Sequence, residues 1–98
     1  MNLHKHLTED RRLVLLRLLA DAPGYAANES ILLQAVESFG HRPSRDALRA
    51  DLAWLAEQGL VTIEEVATVM IATVTRRGGD VAFGRAVVPG VRRPEPGR

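Results

Sequence analysis

The 98-residue chain contains no cysteine. That absence excludes a disulfide framework, a thiolate metal site and a thiol nucleophile together, since each needs sulfur. Aromatics are scarce: Tyr25, Phe39, Trp54 and Phe83 are the full set, so aliphatic side chains must fill the core. No apolar run approaches the roughly 18–20 residues that span a bilayer, and Met1 to His6 leads into charge, not into the apolar stretch of a signal peptide. The expectation is a cytoplasmic protein with no membrane partner. Also missing are a Gly-rich phosphate loop, a locally supported Ser/His/Asp set and a carboxylate pair in an identifiable cleft. No enzymatic activity and no cofactor are expected. His4 and His6 form a His-x-His pair with His41 remote from them, which is far short of a closed metal site.

What is present suits one small domain. A chain of this length cannot divide into two independent cores, and 46% hydrophobic residues with a mean hydropathy of -0.05 belong to a globular protein. The net charge of +1 conceals an asymmetry. Residues 1–75 carry seven Lys/Arg against ten Asp/Glu, a net of minus three, whereas residues 76–98 carry six Arg against Asp80 and Glu95, a net of plus four. An anionic partner would engage the C-terminal end first.

Thr8 with Glu9 and Asp10 has the form of a helix start, a capping hydroxyl followed by acids at the positive end of the dipole. The first helix is expected over about 8–22, ended by Pro23 and Gly24. Asn28 caps a second helix over about 28–39, where Ile31, Leu32, Ala35, Val36 and Phe39 recur at helical spacing up to Gly40. Ser44 caps a third over about 44–58, with Leu48, Leu52 and Leu55 as its inward stripe. From Leu60 the period becomes two. Two β-branched runs separated by Ala67-Thr68 predict a hairpin over 60–74. Thr75 caps a last short helix over about 76–85, weakened by Gly78 and Gly79. Residues 89–98, with three prolines and two glycines, are expected to be a flexible basic tail to a domain of residues 1–88.

The order α-α-α-β-β-α, mainly α with a small β-hairpin, is that of a winged helix-turn-helix. Leu52 to Val61 (Leu-Ala-Trp-Leu-Ala-Glu-Gln-Gly-Leu-Val) resembles that family's passage from recognition helix into wing. Ala72 to Gly78 (Ala-Thr-Val-Thr-Arg-Arg-Gly) is similar to its second wing strand and Thr-x-x-Gly exit. The start Met-Asn-Leu-His-Lys-His-Leu-Thr-Glu-Asp-Arg-Arg and the later Val-Pro-Gly-Val-Arg-Arg-Pro resemble a family of small proteins of Mu-like phages and prophages, often labelled ArsR-like regulators. The resemblance implies that the third helix enters the major groove of double-stranded DNA and the hairpin touches an adjacent groove or the backbone.

On that reading Arg42, Ser44, Arg45 and Arg49 are the candidate DNA contacts, offering phosphate bonds and one bidentate guanine contact. Arg76 and Arg77 after the hairpin, and Arg92, Arg93 and Arg98 in the tail, add salt-dependent affinity. Asp46, Asp51 and Glu57 on the same helix oppose this, as does the hairpin tip Glu64-Glu65. The plainer reading is a solvated helix face, with Arg45 and Arg49 paired to Asp46 and the tail arginines serving solubility. A winged helix that contacts another phage protein is the alternative function.

In the first helix Leu13, Val14, Leu15, Leu16, Leu18 and Leu19 cover nearly the whole circumference, leaving Asp10, Arg17 and Asp21 as a polar strip. A homodimer through Leu13, Val14, Leu15 and Leu18 is expected. Folding of Leu3, Leu7, Val81, Phe83 and Val87 back over that face is the alternative cover. Trp54, at the edge of the third helix's inward stripe, is expected to pack against the core.

Overall fold

Over residues 2–96, which the computed structural model describes, the chain forms helices and an antiparallel sheet in the expected class, mainly α with a small β element. The order is α1 (Leu3–Asp21), β1 (Ala26–Asn28), α2 (Glu29–Ala35), α3 (Arg45–Glu57), β2 (Val61–Val66), β3 (Val69–Val74) and α4 (Arg76–Ala82). Short 3-10 turns cover Pro23–Tyr25 and Val36–Phe39. No described helix is long and apolar enough to cross a membrane.

α1 starts five residues before the expected Thr8. The Asn2 side chain accepts the Lys5 N–H at 3.1 Å and so supplies the cap, and no proline or glycine between Leu3 and Thr8 interrupts the ladder. Asn28 and Ser44 cap α2 and α3 as expected, accepting from the Ile31 and Ala47 N–H groups at 2.9 and 3.0 Å. Gly40, at φ 85°, ends the 3-10 turn after α2 in the left-handed conformation.

β1 is an addition to the expected elements. Ala26, Ala27 and Asn28 pair antiparallel with Thr73, Ala72 and Ile71, so the sheet order is β1-β3-β2. Three residues without a β-branched side chain give no strand signal of their own; the open edge of β3 holds them.

Thr75 joins the hairpin to α4 through both of its polar functions. Its hydroxyl donates to the Gly59 carbonyl at 2.8 Å and accepts the Gly78 N–H at 3.0 Å, which caps α4. Gly78 is required because a Cβ there would stand 2.0 Å from the Leu60 carbonyl oxygen. The Thr-x-x-Gly spacing is thus a cap joined to a close backbone approach.

α1 is the central helix. Leu15, Leu16 and Leu19 are fully buried, with Leu13 and Val14 at 4% and 8% exposure, because α1 packs against α4, β3, α2 and α3 at once. This narrows the expected dimer interface: Leu15 is fully buried in the core of the single chain, Leu13 and Val14 keep only a few per cent of their surface, and Leu18 of that set stays half-buried. The expected fold-back is also only partly realised. Val81 is buried, but Leu3, Leu7, Phe83 and Val87 are exposed, and Val88 and Val91 complete the cover.

The expected flexible tail requires a second correction. Residues after Val88 have no regular structure, yet they are docked as far as Arg92. Val91 is 6% exposed, the Arg92 N–H donates to the Glu9 carbonyl at 3.1 Å, and Arg12 Nη1 donates to the Gly90 carbonyl at 3.0 Å. Gly90, at φ 100°, lies so close to Trp54 that a Cβ would meet Cζ2 at 2.6 Å. Proline and glycine prevent a helix or strand here, but they do not prevent packing. Arg98 lies outside the described residues.

Candidate functional site

Glu29 is the first residue of α2, directly after its cap, and is completely buried. A carboxylate there must be compensated, and four donors meet it. Arg49 binds bidentately, Nε to Oε1 at 2.8 Å and Nη2 to Oε2 at 2.7 Å, while Arg45 Nη1 reaches Oε1 at 2.7 Å and the Met70 N–H reaches Oε2 at 2.6 Å. The Arg49 bonds and the Met70 amide, aided by Arg45, outweigh burial and hold the Glu29 carboxyl far below the usual carboxylate range. Arg49 is correspondingly pushed up, chiefly by its hydrogen bonds to Glu29.

Arg49 Nη2 also donates to the Thr68 carbonyl at 2.6 Å. Thr68 and Ala67 form the two-residue turn between β2 and β3, both at positive φ, 68° and 50°. One guanidinium therefore ties α3, the start of α2 and the hairpin turn together. Arg45 Nη2 adds a bond to the Ser30 hydroxyl at 3.3 Å.

The candidate DNA contacts fall into two groups. Ser44 is occupied as the α3 cap, Arg45 and Arg49 share Glu29, Arg77 donates to the Gln58 carbonyl at 2.7 Å, and Arg92 bridges Asp10 at 2.6 Å and Glu95 at 2.8 Å. Neither arginine pairs with Asp46, the partner the plainer reading gave them. Arg42, Arg76 and Arg93 are exposed and form no ion pair among the described residues. The outward face of α3 is Asp46, Ala50, Ala53 and Glu57, all exposed, and the exposed hairpin tip carries Glu64 and Glu65.

Asp51 does not belong to that face. It is 3% exposed and points inward to Arg11 and to Arg12 Nε, the latter at 3.3 Å. The Arg12 guanidinium in turn lies 4.0 Å over the Trp54 ring. Trp54 thus packs as expected, between Arg12 and Gly90. Asp10 forms a third cluster, with buried His41 Nε2 at 2.7 Å from Oδ2 and Arg92 on Oδ1. Burial raises the Asp10 carboxyl, but the Arg92 and His41 bonds prevail and lower it below its ordinary value. His4 and His6 are exposed on the first turns of α1, and among the described residues no group of three or more His, Cys, Asp or Glu is placed to hold a metal ion.

Sequence reasoning missed Glu29, His41 and Asp51. Glu29 reads as an ordinary acid at a helix start, and no spacing marks it as buried. Asp51 has a visible signal, since it stands between Leu48, Leu52 and Leu55 on the inward side of α3.

No protein-family model matches the chain. It is 54% identical over 90 residues to gp26 of Escherichia phage Mu, an uncharacterized protein, with 92% of this chain and 93% of that one covered. It is also 47% identical over 78 residues to an uncharacterized protein of Haemophilus influenzae, covering 79% of this chain and 76% of that one. With that identity sustained along nearly the full length of both proteins, the chain belongs to the family of phage Mu gp26.

Proposed function

We propose that the chain is a winged-helix module that contacts another phage protein through the outward face of α3 and the acidic hairpin tip. The observation that carries this reading is the engagement of Arg45 and Arg49 by buried Glu29. Moving Arg49 to a phosphate or a guanine would strip its bidentate partner from a buried carboxylate. Breaking a buried pair costs about 3–5 kcal/mol, against about 1–3 kcal/mol for a good bidentate base contact. The internal pairing wins. What α3 then offers outward is a flat strip, Ala50 and Ala53 between Asp46 and Glu57. It suits close packing of a basic protein segment and repels a phosphate backbone.

Duplex binding is the second reading, favoured by the exposed Arg42, Arg76 and Arg93. Anisotropy of a labelled random duplex at about 50 and 200 mM salt separates the two, because each neutralised phosphate contributes close to one unit of log-log slope. We expect no salt-dependent binding. A steep slope that disappears in the Arg42→Ala, Arg76→Ala, Arg93→Ala triple variant would establish the DNA reading instead. A photo-crosslinking residue at Ala50 should yield a discrete protein adduct in cells carrying the phage genome, and its absence would count against the protein-contact reading.

A further inference from the structure

Beside α1 runs an open groove of about 650 Å³. Its floor is Leu13, Val14 and Leu18, and both phenylalanines of the chain stand in its walls, Phe39 at 57% and Phe83 at 48% exposure. Two exposed aromatics beside a half-buried leucine form an apolar surface that water covers at a cost. At the same groove stand Arg17 and Asp21, one helical turn apart and of opposite sign. Neither side chain has an ion pair or hydrogen bond among the described residues.

We infer that this groove binds the same groove of a second copy of the chain, α1 antiparallel to α1, with Arg17 of each copy paired to Asp21 of the other. The charge pattern selects the occupant. A two-fold axis level with residue 19 sets Arg17 and the second copy's Asp21 at the same height, each about 3 Å from the axis at a rise of about 1.5 Å per residue. Both pairs then form by one symmetry operation. The two Leu18 side chains meet beside the axis, each about 1.5 Å from its level, and Phe39 and Phe83 close over them. A partner carrying charge of one sign would satisfy one rim residue and repel the other. This surface lies on different residues from the outward face of α3, so the inference does not depend on what α3 binds.

Sedimentation equilibrium on the full chain tests it. The expected result is a dimer that dissociates on dilution. Arg17→Asp sets two acids against each other at both ends of the two-fold and should weaken dimerisation by about tenfold or more. Asp21→Arg should do the same from the other side. The double variant Arg17→Asp with Asp21→Arg restores both pairs with the charges exchanged and should recover the dimer. Circular dichroism checks that each variant folds, and the two single variants provide independent tests. A chain that stays monomeric at about 200 μM, weaker than a Kd of about 1 mM, overturns the inference. So does a single variant as dimeric as the parent, or a double variant no better than the singles.

Discussion

Glu29 concentrates the energetics of the α2–α3 region in one side chain. Burial disfavours the ionised form of a carboxyl group, so Glu29 stays ionised only because donors surround it, and Arg49, Arg45 and the Met70 amide supply them. Its folded-state pKa is depressed from the ordinary 4.5, so its stabilisation is complete above that value and is lost as pH falls toward the folded pKa. Asp10, lowered from 3.8 by Arg92 and His41 against the effect of burial, acts in the same direction. Denaturant midpoints measured from pH 7 down to about 3 should therefore drop steeply below about pH 4.5. Glu29→Gln, which carries no charge to lose, should start less stable at pH 7 and flatten that acid limb. Parallel curves for the two proteins would show that Glu29 does not dominate it. None of this was legible in the sequence, because an acid next to a helix cap ordinarily faces solvent.

At the scale of elements, periodicity and punctuation located most of the structure. The stripe Leu48, Leu52 and Leu55 is fully buried as read, the hairpin falls within the predicted range, and Asn28, Ser44 and Thr75 all cap helices. What failed were elements that depend on a neighbour. β1 exists through pairing with β3, and α1 begins at Leu3 because Asn2 outcompetes Thr8 as its cap. The hairpin turn is similar. Two-residue turns of this hand need positive φ at both positions and favour Asn-Gly; this one uses Ala67 and β-branched Thr68, with Arg49 holding the Thr68 carbonyl. Left-handed backbone at such residues costs about 1–2 kcal/mol each. Ala67→Asn with Thr68→Gly should accordingly raise stability by about 1–2 kcal/mol while keeping the carbonyl for Arg49. An unchanged or lower denaturation midpoint would show that the turn is not strained.

For the molecule as a whole, the C-terminal segment decides how α1 is covered. Val88 and Val91 are buried, Gly90 lies against Trp54, and Arg92 reaches Asp10 and the Glu9 carbonyl. Truncation after Pro89 removes the Val91 burial, both of these Arg92 contacts and the Arg12 bond to the Gly90 carbonyl, and should lower stability by about 2–3 kcal/mol, read as a fall in Tm. A Tm equal to that of the full chain would mean the segment is a loose tail after all. The same packing uses five of the six hydrophobic residues around α1 inside one chain, because a central helix needs apolar residues on nearly every side, and leaves Leu18 half-buried.

The sequence by itself determined the class of fold, the caps of α2, α3 and α4, the position of the hairpin, and the absence of thiol chemistry, because these follow from local periodicity, cap chemistry and composition. Tertiary structure alone decided which charges are available. Arg45, Arg49 and Arg92 look like free cations along the chain, but Glu29, Asp10 and Glu95 occupy them through contacts 16, 20 and 82 residues apart in sequence and one of 3. Charge is a property of the residue, whereas its availability to a partner depends on what the fold places beside it.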